Sequence, residues 1–415
     1  MNNRIISIDV LRGFALLGIL IMNIVLFAMP TQAYYNPFVY ELSSWDQLFF
    51  AINHVIADQK FMAIFSMLFG ASTLLFIQSA SKKGQKAGLL FYSRNFWLLL
   101  IGLIHSVFIW HGDILLIYAI CSFLLFLFRN LNPRIQLGLG LLIYLLPALL
   151  NLYVFSTSLE QISPAEQQAF INQWTPDDAT LQKEIDAFRG TYSDQINYRL
   201  RNSENEQNTS ENAGMMLGLF LLDFFGRAFG MMLIGMALFS WKVFSNLREK
   251  SFYLKWVKYG LGVGFSLSIL GIILFYQFDW QWQYGLFWGK LPNTLATPFT
   301  ALGYVGLIML WTRTDFLQDL QNRMAAIGKI ALSGYLGESI IATSIFYGLG
   351  LYGDLNRGAL WLVTFLIWGF FLWFAPFWTQ RFRFGPLEWI WRCLTYLRIV
   401  PLRKVEQPAA QNARA

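Results

Sequence analysis

The sequence predicts an all-α membrane protein that crosses the bilayer ten times. Three observations predict it. First, of 415 residues 56% are hydrophobic and only 13% charged, where a soluble domain carries ~25% charged residues. Second, apolar runs of the length needed to cross the hydrocarbon, about 20 residues, recur at approximately 8–28, 60–80, 92–111, 113–129, 135–156, 214–240, 254–276, 293–311, 325–348 and 359–379. Third, the basic residues sort by loop. With both termini on the cytoplasmic side, 22 Lys and Arg fall inside and 7 outside, as the positive-inside rule requires. The net charge of +7 thus has a topological cause, and nucleic acid is not an expected partner.

Taken in order, the first run is not a cleaved signal, because Asp9 and Arg12 interrupt its start and no small-residue cleavage site follows Met29-Pro30. Residues 41–58 read as an amphipathic helix with Trp45, Leu48, Phe49, Ile52, Val55 and Ile56 on one stripe. Asp46, Gln47, His54 and Asp58 fall off that stripe. The helix is expected to rest on the outer surface or line a vestibule, with His54 in solvent. Residues 157–213 form a long acidic outer segment, helical around 164–173 and 178–200, with too few apolar residues for a core of its own. It is expected either to lie over the membrane domain as a cap or to act as a tether. Four-residue spacing of small residues at Gly260, Gly264 and Ser268, at Gly214 and Gly218, and at Gly226 and Gly230 marks close helix contacts in lipid. Pro147, Pro298 and Pro376 lie in or near the ends of runs, where they can kink them. Asn208-Thr-Ser has the glycosylation pattern, common by chance. Cys121 and Cys393 give neither a disulfide framework nor metal-ligand spacing. The chain divides into a membrane half (1–156), the outer segment (157–213), a second membrane half (214–392) and a basic tail (393–415).

Chemistry concentrates in the hairpin from Ile101 to Ile120, which holds His105, His111 and Asp113. An ionisable side chain inside an apolar run needs a partner or a function. Asp113 can cap the helix that follows it or orient an imidazole, and a carboxylate holding a histidine tautomer is the usual partner of a general base. Asp9 and Arg12, and likewise Asp223 and Arg227, have the spacing of intrahelical ion pairs. Arg12, at the inner rim, also suits a phosphate. Glu338 sits mid-span and suits a proton-coupled transporter. No Gly-Lys-Ser/Thr phosphate loop, paired-Cys site or Gly-x-Ser-x-Gly elbow is present, and three histidines do not suggest a metal centre.

Four stretches resemble the YeiB-like family of bacterial membrane proteins: Arg4 to Asn23, Lys60 to Gly70, the hairpin from His105 to Ala119, and Phe384-Gly-Pro-Leu-Glu-Trp-Ile-Trp-Arg392. The Asp9-x-x-Arg12-Gly start is also similar to the transmembrane acyltransferase superfamily, which includes heparan-glucosaminide acetyltransferase. That resemblance implies acyl transfer from cytoplasmic acyl-CoA to an extracytoplasmic hydroxyl or amine on an envelope glycan or lipid, with Asp9 and Arg12 on the donor side and a catalytic histidine. The sequence departs from that pattern at Tyr40-Glu-Leu-Ser-Ser-Trp45, where the superfamily member has a histidine before Ser-Trp, and from the YeiB-like one at Gly334 and Glu338. His105 is therefore the expected base, with Asp113 orienting it; His54, His111, Asn23, Glu338, Asp223 and Arg227 are further candidates. The alternative is a proton-coupled transporter or flippase using Glu338 or Asp223. Expected surroundings are the bacterial inner membrane and its lipids; a homodimer is one assembly considered.

Overall fold

A computed structural model describes residues 6–39, 43–158, 163–205 and 211–404. The glycosylation triplet at Asn208 and the tail beyond residue 404 lie outside these residues. Among them the chain is helical, and its extended pairing is a single isolated bridge, Phe382 with Arg403. In order the helices are α1 (Ile6–Ala28), the short α2 (Gln32–Tyr35), α3 (Ser44–Ile56), α4 (Lys60–Lys82), α5 (Ala87–Ile104), α6 (Leu115–Leu125) and α7 (Pro133–Ser158). The outer segment folds as α8 (Pro164–Trp174), α9 (Asp178–Arg189) and α10 (Tyr192–Asn205). Then follow α11 (Glu211–Ser240), α12 (Lys250–Lys255), α13 (Gly262–Gln277), α14 (Lys290–Trp311), α15 (Gln318–Lys329), α16 (Ala331–Thr343), α17 (Arg357–Arg381) and α18 (Pro386–Tyr396).

Among the described residues eight helical stretches are long and apolar enough to cross a membrane, nine if α15 and α16 count as one bent span. All ten expected segments are helical, but two differ from the expectation. Leu115–Phe128 is apolar yet short, at 1.5 Å per residue about 20 Å against a hydrocarbon core of about 30 Å. The expected span 325–348 is two helices meeting at 87° around Ile330. That break frees the first amides of α16, and Glu388 of α18 satisfies them: its carboxylate accepts from Leu332 N at 2.7 Å, Ser333 N at 3.2 Å and the Ser333 hydroxyl. Burial nevertheless pushes the Glu388 carboxyl above its ordinary range, against these hydrogen bonds.

Helix α1 is the axis of the bundle, with 78% of its apolar window buried, whereas α7 buries 17% and faces outward. Apolar side chains gain little by leaving lipid, so the helices are held by close backbone approach. A Cβ on Gly328 would lie 1.9 Å from Asp9 O, and one on Gly13 2.1 Å from Met324 O. This crossing locks α1 to α15. Gly70 and Gly235 bring α4 and α11 together in the same way. Gly226 and Gly230 abut α7, and Gly260 and Gly264 abut α14, as their spacing suggests; Gly218 has nothing within 4 Å, so no close contact forms there.

Helix α3 corrects one expectation. Trp45 and Leu48 at the start of its apolar stripe are exposed, whereas Phe49 and Ile56 further along it pack against Trp361 and the bundle core, and off the stripe Asp46, Phe50 and Asn53 are buried. His54 is not in solvent: its side chain is 11% exposed and its Nδ1 lies 3.4 Å from Asp58 Oδ2.

Helices α8 to α10 lie against one end of the bundle, opposite the end that holds Arg12 and α18. Trp174 donates to Trp280 O at 2.7 Å and accepts from Asn36. Arg189 donates to Tyr352 O and pairs with Asp354. Tyr192 and Arg199 donate to Phe108 O and Val107 O. The expected helix 178–200 is broken at Gly190, because Asp194 accepts from Thr191 N and its hydroxyl to start a new helix. Glu184 is buried under this layer, where it accepts from Tyr352 and Tyr198; burial raises its pKa in spite of those bonds.

Candidate active site

The hairpin between α5 and α6 places His105. The regular turn of α5 ends at Ile104, and residues 105–109 form a wider helical turn closed by Trp110 N on His105 O at 2.8 Å. Trp110 leaves the helix extended, and its fully buried ring stacks on Phe27 with centroids 3.9 Å apart. The chain then turns back through Gly112, where a Cβ would lie 2.4 Å from the Trp110 ring. Asp113 follows. One of its oxygens lies 2.8 Å from His105 Nδ1, and the other accepts from Leu116 N at 2.7 Å. The two roles left open for Asp113 by the sequence are both filled, one by each oxygen. Both side chains are fully enclosed. With an ionised Asp113, this geometry puts the neutral imidazole's proton on Nδ1 and leaves the lone pair on Nε2. Nε2 is buried and has no hydrogen-bond partner among the described residues.

Tyr335 of α16 completes the wall. Its ring centroid is 5.4 Å from the imidazole, and its hydroxyl accepts from Ile114 N at 3.2 Å. Glu338, one turn further along α16, is 2% exposed, and its Oε1 has no hydrogen-bond partner among the described residues.

Two cavities approach this pair from opposite ends. The first, about 290 Å³, has Arg12, Arg94, Lys329, Arg383 and Arg392 among its lining residues. Its walls are otherwise largely apolar, with Phe65, Leu68, Phe69, Leu98 and Tyr118, and its inner end is formed by Ile114, Leu115 and Tyr335. These last residues adjoin His105 and Asp113 along the chain or in space. The second cavity, about 650 Å³, lies under α10 and is bounded by Phe108, Ile109, Arg199, Thr343 and Tyr347.

The other candidates fall elsewhere. Arg12 pairs with Asp9 at 3.3 Å and also donates to Gly328 O and Ser72 while lining the first cavity. Asp223 and Arg227 form the ion pair their spacing suggests. His111 is exposed at the hairpin tip, its ring 6.0 Å from that of Phe188. Asn23 is half-buried on α1. His54 belongs to a second polar cluster: Asp58 also accepts from Tyr34 at 2.9 Å and Asn293 at 2.7 Å, and Lys60 donates to His54 O and Asn293. Sequence reasoning passed over Lys60, Asn293, Tyr335 and Arg94. For Lys60 a signal existed, a lysine at the apolar run's start two residues from Asp58.

Fold and site together define a polytopic all-α membrane protein with a buried imidazole–carboxylate pair set between a basic-mouthed cavity and a capped one. Residues 238–398 match the family described as "Protein of unknown function (DUF418)". The chain is 31% identical over 405 residues to "Uncharacterized protein YeiB" of Escherichia coli, covering 94% of this chain and 96% of that one. It is 30% identical to "Uncharacterized protein YxaH" of Bacillus subtilis, covering 97% of each. The chain belongs to this YeiB-like family. No solved structure matches it.

Proposed function

We propose that this protein transfers an acyl group across the bacterial inner membrane, from acyl-CoA at the basic cytoplasmic end to a hydroxyl or amine acceptor at the capped, extracytoplasmic end. The observation that carries the reading is the first cavity, which pairs cations at its mouth with apolar walls and ends beside the His105–Asp113 pair. Cations suit the phosphates of coenzyme A, and apolar walls suit the acyl chain and pantetheine arm.

In this mechanism His105 Nε2 takes the proton of the acceptor hydroxyl as its oxygen attacks the thioester carbonyl. Asp113 holds the Nδ1–H tautomer and stabilises the imidazolium. The Tyr335 hydroxyl accepts from Ile114 N, so its own proton is free to be donated to the carbonyl oxygen as charge develops there. The intermediate then collapses, the C–S bond breaks, and the departing thiolate takes from the imidazolium the proton that the acceptor gave up.

The test is reconstitution into vesicles with the basic end outward, supplied with acetyl-CoA outside and candidate acceptors inside. Release of free CoA that depends on internal acceptor supports the reading; its absence with every acceptor class, together with no saturable CoA binding, refutes it. A second reading rests on Glu338, a buried carboxyl with one oxygen unpartnered among the described residues. Such a group suits proton-coupled transport, which predicts acceptor flux without CoA consumption and loss of that flux in Glu338→Gln.

A further inference from the structure

The second cavity has a feature that acyl transfer alone does not require. Arg199 of α10 reaches down to the hairpin, where one guanidinium NH₂ donates to Val107 O at 3.1 Å. Its Nε is buried with no hydrogen-bond partner among the described residues, and no described carboxylate pairs with it. Arg189, on the same rim, is by contrast neutralised by Asp354. Across the cavity, the Tyr347 hydroxyl is also buried and unpartnered among the described residues. Both side chains line the same cavity, and they lie within electrostatic reach of each other. A buried guanidinium Nε and a buried phenol hydroxyl without acceptors among the described residues are costly for the protein alone. They make a matched pair of donors for an anion, and a guanidinium binds carboxylate and phosphate with charge-assisted hydrogen bonds.

The position gives the pair its meaning. Val107, Phe108 and Ile109 are the residues that wrap the turn begun by His105. A ligand anchored on Arg199 therefore lies against the same turn that carries the base. We infer that the second cavity binds the acceptor through an anionic group, a phosphate or carboxylate, held by Arg199 and Tyr347, so that the acceptor is a hydroxyl-bearing anion such as a polyol phosphate or a uronic-acid sugar rather than a neutral glycan. This assignment rests on the acyl-transfer reading for its role, while the anion site itself can be tested without turnover.

The experiment uses the full-length protein in detergent, titrated with glycerol phosphate, glucuronate and, as neutral counterparts, glycerol and glucose, with binding followed by calorimetry. Saturable binding of at least one anion but of neither neutral probe is expected. Arg199→Gln should weaken it at least tenfold, Tyr347→Phe less, and Arg199→Lys should retain part of it. Glycerol phosphate without glucuronate would select phosphate-bearing acceptors, and the reverse would select uronic acids; either outcome supports the site. No anion binding, binding that the Arg199 and Tyr347 variants leave intact, or equal binding of the neutral probes would overturn it. Anion binding lost in Arg199→Gln in a protein that consumes no acyl-CoA would retain the site and discard the transferase.

Discussion

His105→Gln separates a base from a packing residue more cleanly than any other single change. The imidazole is fully enclosed and hydrogen-bonded to Asp113 at 2.8 Å through Nδ1. A glutamine amide can donate to the same carboxylate oxygen, so Asp113 keeps a partner and the change costs at most about one hydrogen bond, ~0.5–1.5 kcal/mol. Alanine is a poor probe because it leaves a buried carboxylate unpaired, at ~3–5 kcal/mol. Glutamine cannot accept a proton at neutral pH, so the loss of a positioned base should lower turnover by about 10²–10⁴, or ~2.7–5.5 kcal/mol of barrier at 1.36 kcal/mol per tenfold. The two magnitudes differ enough to be told apart. The assay is CoA release by reconstituted protein, with monodispersity and melting temperature measured on the same preparation. A folded His105→Gln protein within threefold of wild-type activity would refute the argument for catalysis by His105.

Three further outcomes are expected. Gly328→Ala should destabilise the protein by ~3 kcal/mol or more, since the new methyl meets backbone that cannot rotate away, whereas Gly218→Ala should be neutral; fluorescence-detected size exclusion after heating distinguishes them. Burial holds the Glu184 carboxyl above its ordinary range, so the native state binds its proton more tightly than the unfolded chain; this contribution is present in full below the unfolded pKa and is lost as pH rises through the folded one. Glu184→Gln should therefore raise the melting temperature at pH 7 and reduce its gain on acidification, and an unaltered pH profile would contradict the argument. A cysteine at exposed Ser193 should react with an impermeant thiol reagent from outside intact cells and one at Ser245 should not; the reverse pattern would invert the assigned topology.

Much of this architecture was legible in the sequence because length and apolarity alone mark a span. The errors share a cause. Apolar periodicity locates a stripe on α3 but not what packs on the helix's other sides: protein covers the polar side too, so His54 and Asp58, four apart and apparently exposed, are buried together. The break at Ile330 was invisible because the amides it frees, on Leu332 and Ser333, are satisfied 55 to 56 residues further on, by the carboxylate of Glu388. Within the site, the His105–Asp113 pair followed from two polar residues around one hairpin, whereas Tyr335 joins it only through folding, from another apolar run, and Arg94 lines the first cavity from the opposite end of the run that carries His105.

The role of α18 has a consequence for biosynthesis. Its helix caps α16 through Glu388, anchors Trp391 to Arg94 O at 2.7 Å, and receives the Ser93 hydroxyl on Thr395 O, a contact 302 residues apart in sequence. While the ribosome is still delivering the chain, the amides of α16 have no partner and the floor of the basic-mouthed cavity does not exist. Insertion of the spans can proceed from the amino end, but the basic-mouthed cavity can close only after Thr395 has emerged. Nascent chains arrested before that point should be inserted and yet lack the floor of this cavity, which makes its assembly a late, post-insertion step.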